Sequence, residues 1–180
     1  MYKLKNIFHH SFEKEEVYLH LFKSSWNKKI IDKNKQHDYR GFDTLIETKD
    51  NWIINTGNYT TANGHADKLD KQLSKILQTR VETNFVSILP ETHIGKHWDY
   101  YDDLKCNTSI VWKVFGDTII YQNNKQEVVD KDYSIILNTD LVHDAYNSTK
   151  QIQWVATSLV YDITYDEVIE IFSKEGMTFF

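Results

Sequence analysis

Through the second half of the chain, short runs rich in apolar and β-branched residues follow one another. They cover 81–89, 107–115, 117–122, 126–130, 133–138, 141–147 and 151–162. Between them stand turn formers: Gly95, Gly116-Asp117, Asn123-Asn124, Asp130-Lys131-Asp132 and Asn147-Ser148. Glycine and asparagine tolerate the backbone angles a tight reversal needs, and aspartate bonds its own backbone two residues on. Seven strands at this spacing predict an antiparallel sandwich or small barrel.

On either side the period changes. Leu69, Leu73, Ile76 and Leu77 fall at helical spacing, which predicts a helix over 65–79 with Asp67 as its N-cap. At the end of the chain, 164–176 predicts a second helix. Thr164 is placed to cap it, and Val168, Ile169, Ile171 and Phe172 are its apolar positions. The first sixty or so residues are irregular, with short helical stretches such as 11–23 and a strand at 51–56. No linker, repeat or low-complexity tract divides the chain. One domain over 1–180 is expected: helical or irregular support over 1–80, a β core over 81–162 and a closing helix over 163–180.

Composition narrows the class. Hydrophobic residues are 41% of the chain and aromatics 14%, too many for a disordered protein. No apolar run approaches the roughly 20 residues a membrane span needs. The opening "MYKLKNIFHHSFEKEE" lacks the apolar stretch of a signal peptide, so a cytoplasmic protein without a membrane partner is expected. A single cysteine, Cys106, excludes an intramolecular disulfide and a multi-cysteine zinc site. Net charge is −5 and the basic residues are scattered, which argues against a nucleic-acid partner. The pattern does not address oligomeric state. Only Arg40 and Arg80 among the 21 basic residues are arginine. A site that wants a planar bidentate guanidinium therefore has two candidates.

Metal-ligand chemistry enters at "ETHIGKHWDYYDD", residues 91–103. The His-x-Asp pattern occurs twice, at His65-Ala66-Asp67 and at His97-Trp98-Asp99. Asp67 is better employed in capping its helix. His97 and Asp99 follow a predicted strand, and in extended chain residues two apart share a face. His143 lies where a strand ends, turns at Asn138-Thr139-Asp140 and restarts. A rolled antiparallel sheet can bring it back beside the first pair. Two imidazoles and one carboxylate form the facial triad of non-haem Fe(II) oxygenases. Spacing alone leaves this open against ordinary polar residues at sheet edges.

The stretches "SILPETHIGKHWD" and "NTDLVHDAYNSTKQIQWVATSLVYD" resemble the 2-oxoglutarate/Fe(II)-dependent oxygenases, and among them the aspartyl/asparaginyl β-hydroxylase group. That group carries a Pro-x-Thr-His-x-x-x-His stretch, matched by Pro90, Thr92, His93 and His97. It also carries a later His followed four residues on by Asn or Gln, matched by His143 and Asn147. The resemblance covers roughly residues 85–162. It implies a mainly β fold with flanking helices around a double-stranded β-helix, the cupin-like jelly roll. It further implies an Fe(II)/2-oxoglutarate-dependent dioxygenase that hydroxylates an unactivated C–H bond of a small-molecule or peptide substrate, such as an amino-acid or protein side chain. His97, Asp99 and His143 would hold the iron, and Asn147 would either orient the cosubstrate or simply set a turn. The alternative is a cupin-type metal-binding or small-molecule-binding protein without that oxidation.

The sequence also departs from the group. The far carboxylate of 2-oxoglutarate normally meets a cation, because a buried unpaired anion is costly. The group's arginine ten residues after the distal His falls on Gln153 here, and another falls on Cys106. Lys113, Lys150 and Arg80 are possible substitutes, and Gln153 is a possible neutral donor. Trp98, Tyr100 and Tyr101 are candidates to line a substrate mouth. The acidic run Asp99, Asp102 and Asp103 would draw a cationic substrate or simply face solvent.

Overall fold

Residues Thr108–Phe115 form one strand with two apolar faces. Ile110, Trp112 and Val114 look one way and Val111 the other, and the two sides meet different cores. A strand buried on both faces needs a layer on each side, and the architecture supplies both. The computed structural model describes residues 1–5, 28–31, 52–55, 59–88, 91–93, 98, 107–151 and 153–180. Its strands are β1 (Tyr2–Lys5), β2 (Lys28–Ile31), β3 (Trp52–Asn55), β4 (Val81–Ile88), β5 (Thr92–His93), β6 (Thr108–Phe115), β7 (Thr118–Gln122), β8 (Lys125–Val129), β9 (Tyr133–Asn138), β10 (His143–Asn147) and β11 (Gln153–Val160). Its helices are α1 (Tyr59–Leu77) and α2 (Tyr165–Lys174).

A five-stranded sheet runs β1-β9-β6-β11-β4, and a four-stranded sheet runs β5-β10-β7-β8. From β4 to β7 the chain alternates between the two sheets at every step, and from β8 to β11 it does so again. This strand order is the double-stranded β-helix. Between the sheets lie Ile88, Val111, Ile120, Val129, Ile135, Leu137, Ala145 and Val155. Outside the large sheet lie Ile110, Trp112, Ile136, Ala156 and Val160, covered by Leu69, Leu73 and Leu77 of α1 and by Val168 and Phe172 of α2. Each fully buried aliphatic or aromatic side chain contributes about 1.5–3 kcal/mol.

Turn chemistry fixes the register. Asn123 and Asn124 both hold positive φ, 52° and 60°, as a two-residue hairpin turn of the right twist requires. Asp130 Oδ1 accepts from the backbone N–H groups of Asp132 and Tyr133 and so closes the step from β8 to β9. At α2, Thr164 and Glu167 form a reciprocal capping box, as the sequence predicts.

Three expectations are corrected. Helix α1 begins at Tyr59, so Asp67 lies inside it rather than at its N-cap. Only its second half carries the apolar spacing, and Asn63-Gly64 ahead of it imitates a turn. The first sixty residues hold more than the strand expected at 51–56, which is β3, since β1 and β2 lie there too. β1 pairs with β9, while β2 pairs with β3. The chain end adds to this edge, with Lys3 and Phe180 exchanging backbone hydrogen bonds in both directions. Third, β10 starts at His143 rather than at 141. The helical stretch expected at 11–23 lies outside the described residues.

Gly116 has φ +80°, and a Cβ there would stand 2.4 Å from Gln153 Cγ. Gly116→Ala is expected to lower stability by about 2–4 kcal/mol, combining overpacking with left-handed strain. Gly176 has φ +74° with open space around it, so Gly176→Ala should lose only the strain, about 1–2 kcal/mol. Urea denaturation of the two variants checks this, and equal losses would contradict the packing of Gln153 under the turn.

Candidate metal centre

The register places His143 at one rim of the barrel. It is the first residue of β10 and pairs with Gln122, the last of β7. Gln122 also pairs with Lys125 at the start of β8, and Thr108 at the start of β6 pairs with Asn138 at the end of β9. Five strand ends and the β9–β10 turn therefore share this rim. His143 is buried, and its Nδ1 lies 2.9 Å from the Leu141 carbonyl oxygen. A carbonyl only accepts, so Nδ1 carries a proton, and in the neutral ring Nε2 then keeps the lone pair. That is the tautomer in which an imidazole ligates a metal, and a carbonyl partner of this kind fixes the ring's orientation.

His97 and Asp99 lie outside the described residues. The ends of their connection are described. It leaves β5 at His93, whose partner is Tyr146 on β10, and β5 is antiparallel to β10, so its direction is toward the His143 rim. It rejoins the barrel at Asn107 and Thr108. The Asn107 carbonyl accepts from Thr139 N–H, and its side-chain amide donates to Asp140. The end of that connection is thus bonded to the turn that delivers His143. Among the described residues no three His, Cys, Asp or Glu side chains converge as a metal site. Trp98 is half-buried. Pro90, Gly95, Tyr100, Tyr101, Asp102, Asp103 and Cys106 lie outside the described residues.

Of the residues proposed for the cosubstrate, Asn147, Gln153 and Lys150 lie at the opposite rim. Asn147 ends β10, four residues and roughly 14 Å along the strand from His143. Its amide donates to the carbonyls of Ile88 and Gln151, and its Oδ1 accepts from the backbone and hydroxyl of Thr149. Every polar atom of that side chain serves the β10–β11 turn. Gln153 opens β11 fully buried, accepting from the Thr118 hydroxyl at 3.0 Å and donating to Thr149 Oγ1 at 3.4 Å. Lys113 shares the face of β6 that carries Val111, but its ammonium is bound to Asp117 in the next turn. Lys150 is exposed. Arg80 does not turn inward. Its guanidinium donates to Glu82 and stacks on Tyr161, and the hydrogen bond to the Glu82 carboxylate raises its pKa above the ordinary value.

Sequence reasoning missed Gln122, Thr118 and Ser109. Gln122 and Thr118 are polar residues at barrel-facing positions of β7, and Ser109 is one on β6. A polar residue in phase with Ile120 or Val111 is the only signal the sequence offers. The Ser109 hydroxyl is buried without a hydrogen-bond partner.

No family model matches this sequence, and no curated protein matches it. Solved structures of similar backbone path include the cupin-2 domain of an XRE-family transcriptional regulator from Enterobacter cloacae. It shares 10% identity over 48% of this chain and 86% of that one, with a TM-score of 0.40. A cupin-2 conserved barrel domain protein from Salinispora arenicola shares 13% identity over 52% of this chain and 71% of that one, TM-score 0.37. A cupin-2 domain protein from Shewanella frigidimarina shares 9% over 43% and 68%, TM-score 0.34. None of these likenesses points to the aspartyl/asparaginyl β-hydroxylase group. The jelly-roll fold stands on the strand order described above. No described helix is long and apolar enough to cross a membrane.

The bonding of Asn147 predicts a structural effect for its removal. Asn147→Ala should cost about 2–4 kcal/mol, since buried acceptors left unpaired cost about 1–3 kcal/mol each. Metal affinity at the opposite rim should not change. Chemical denaturation and metal titration of the same variant measure both, and weakened metal binding at normal stability would contradict the assignment.

Proposed function

We propose that this chain is a cupin-type protein that holds a divalent metal ion at the His143 rim and a small molecule in the barrel, without 2-oxoglutarate-dependent oxidation. The observation that carries this reading is the polarity along the barrel. One rim presents a buried imidazole oriented by the Leu141 carbonyl. The other is filled by the neutral set Gln153, Thr118 and Thr149. A dicarboxylate reaching inward from a metal would place its second charge along the apolar belt, short of those neutral groups, and the positive charge of Lys113 is already matched by Asp117. An anion taken out of water without a charged partner is strongly disfavoured.

His143 fits a metal site by burial, tautomer and place in the fold. His97 and Asp99 are proposed to complete it, because their connection ends in hydrogen bonds to the turn that carries His143. A second reading follows from the same three residues. The order His97-x-Asp99 then His143, on this strand order, equally suits an Fe(II)/2-oxoglutarate hydroxylase. In that reading the metal would supply dioxygen activation, and Gln153 would meet the cosubstrate's far carboxylate as a neutral donor.

Anaerobic titration of Fe(II) into metal-free protein separates the two. The expected outcome is one bound ion, retention lost in His143→Ala with the circular dichroism spectrum unchanged, and no visible charge-transfer band on adding 2-oxoglutarate. A band together with succinate formation in air would establish the hydroxylase instead. Full metal occupancy in folded His143→Ala would remove His143 from the site.

A further inference from the structure

The turn that carries His143 is held by a residue two strands away from it in sequence. We infer that Gln122 is the positioning residue for the His143 imidazole. This rests on the proposed metal site only for its functional consequence.

Gln122 is 2% exposed at the end of β7. Its Nε2 donates to the Asn138 carbonyl at 2.7 Å, and its Oε1 accepts from the Asn138 N–H at 3.4 Å. The side-chain amide thus imitates one more residue of ladder at the point where β9 leaves the large sheet. The same Asn138 carbonyl accepts from Leu141 N–H at 3.2 Å. The Leu141 carbonyl in turn accepts from His143 Nδ1 at 2.9 Å. A continuous path therefore runs from the Gln122 amide through Asn138 and Leu141 to the imidazole. Asn138 Oδ1, accepting from Asp140 N–H at 3.0 Å, stiffens the turn in between. The direct register pair Gln122 and His143 closes the loop from the other side.

A buried amide carries two donors and an acceptor with two lone pairs, and a charged or apolar residue of equal length cannot hold both Asn138 groups. Loss of the donor frees the Asn138 carbonyl, then the turn, and then the carbonyl that sets the histidine tautomer. The effect on a ligated metal follows, since removing an outer hydrogen-bond partner lowers metal affinity by about 10–100-fold.

Two variants test this at one fixed pH. Gln122→Met keeps the length and removes both polar atoms, while Gln122→Glu keeps an acceptor for Asn138 N–H and loses the donor. Nitrogen-15 NMR of His143 in metal-free protein should show the Nδ1–H tautomer in the wild type and a mixture in the variants. Co(II) affinity, read from its visible absorption, should fall by about 10–100-fold while circular dichroism stays native. Gly176→Ala, destabilised elsewhere, should keep the wild-type tautomer, which separates positioning from general loss of stability. If Gln122→Met fails to fold, Gln122→Glu carries the test. A folded variant with the wild-type tautomer and wild-type Co(II) affinity overturns the inference. Altered tautomers in a protein whose wild type binds no Co(II) would leave Gln122 as the positioning residue and remove the metal reading.

Discussion

The large sheet has to be buried on both faces, and the rest of the architecture answers that constraint. β6 and β11 carry apolar residues on both faces, so neither face can meet water. The inner face needs the second sheet and the outer face needs α1 and α2. Polar atoms trapped on the outer face must then find partners there. Trp112 Nε1 donates to Ser158 Oγ, Ser158 and Thr83 share a hydroxyl–hydroxyl bond, and Thr83 donates to Asp70 of α1. That chain fixes α1 to the sheet by directional bonds as well as by Leu69, Leu73 and Leu77. At the edge of the same layer, the Tyr165 hydroxyl is buried without a partner, and burial pushes its pKa well up.

Closing two sheets over an apolar belt leaves polar chemistry only at the rims. The belt of Val111, Ile120, Ile135, Leu137 and Val155 offers no donor or acceptor side chain. At one rim, the chain crosses from β9 to β10 and the backbone must turn inside a packed structure, so its amide groups need side-chain partners. Gln122, Asn107 and Asn138 supply them, and His143 is delivered in a single orientation as a by-product of that turn. At the other rim the crossing from β10 to β11 has the same need. Asn147 and Gln153 are spent on it, which makes that end neutral and full. The functional asymmetry of the barrel is the asymmetry of its two crossings.

Much of this is legible in the sequence, for local reasons. The strands from β6 to β11 show because alternation is interrupted by residues with one dominant use: Gly116, Asn123-Asn124 and Asp130. Helix α2 shows because Thr164 and Glu167 stand three apart before an apolar stripe. His143 could be placed because the turn ahead of it is written as Asn138-Thr139-Asp140. β1 could not be seen, since four residues alternating Tyr2, Lys3, Leu4 and Lys5 acquire meaning only against β9, far along the chain. The start of α1 was hidden by Asn63-Gly64, whose turn preference the packing of the following helix overrides. Gln122 was silent because a buried amide and a solvated one are the same letter. Lys113 looked available because its partner Asp117 is brought to it by the crossing from β6 to β7, not by a helix.

In the proposed site, His143 and the connection carrying His97 and Asp99 together hold one metal ion. X-ray absorption spectroscopy of the Co(II)-loaded protein tests this most directly. The prediction is two imidazole nitrogens in the first coordination sphere, the remainder oxygen, and one imidazole fewer in His143→Ala. Distances of about 2.0–2.1 Å are expected, as for imidazole ligands of zinc. A sphere with no imidazole, or one unchanged by the His143 substitution, would contradict it.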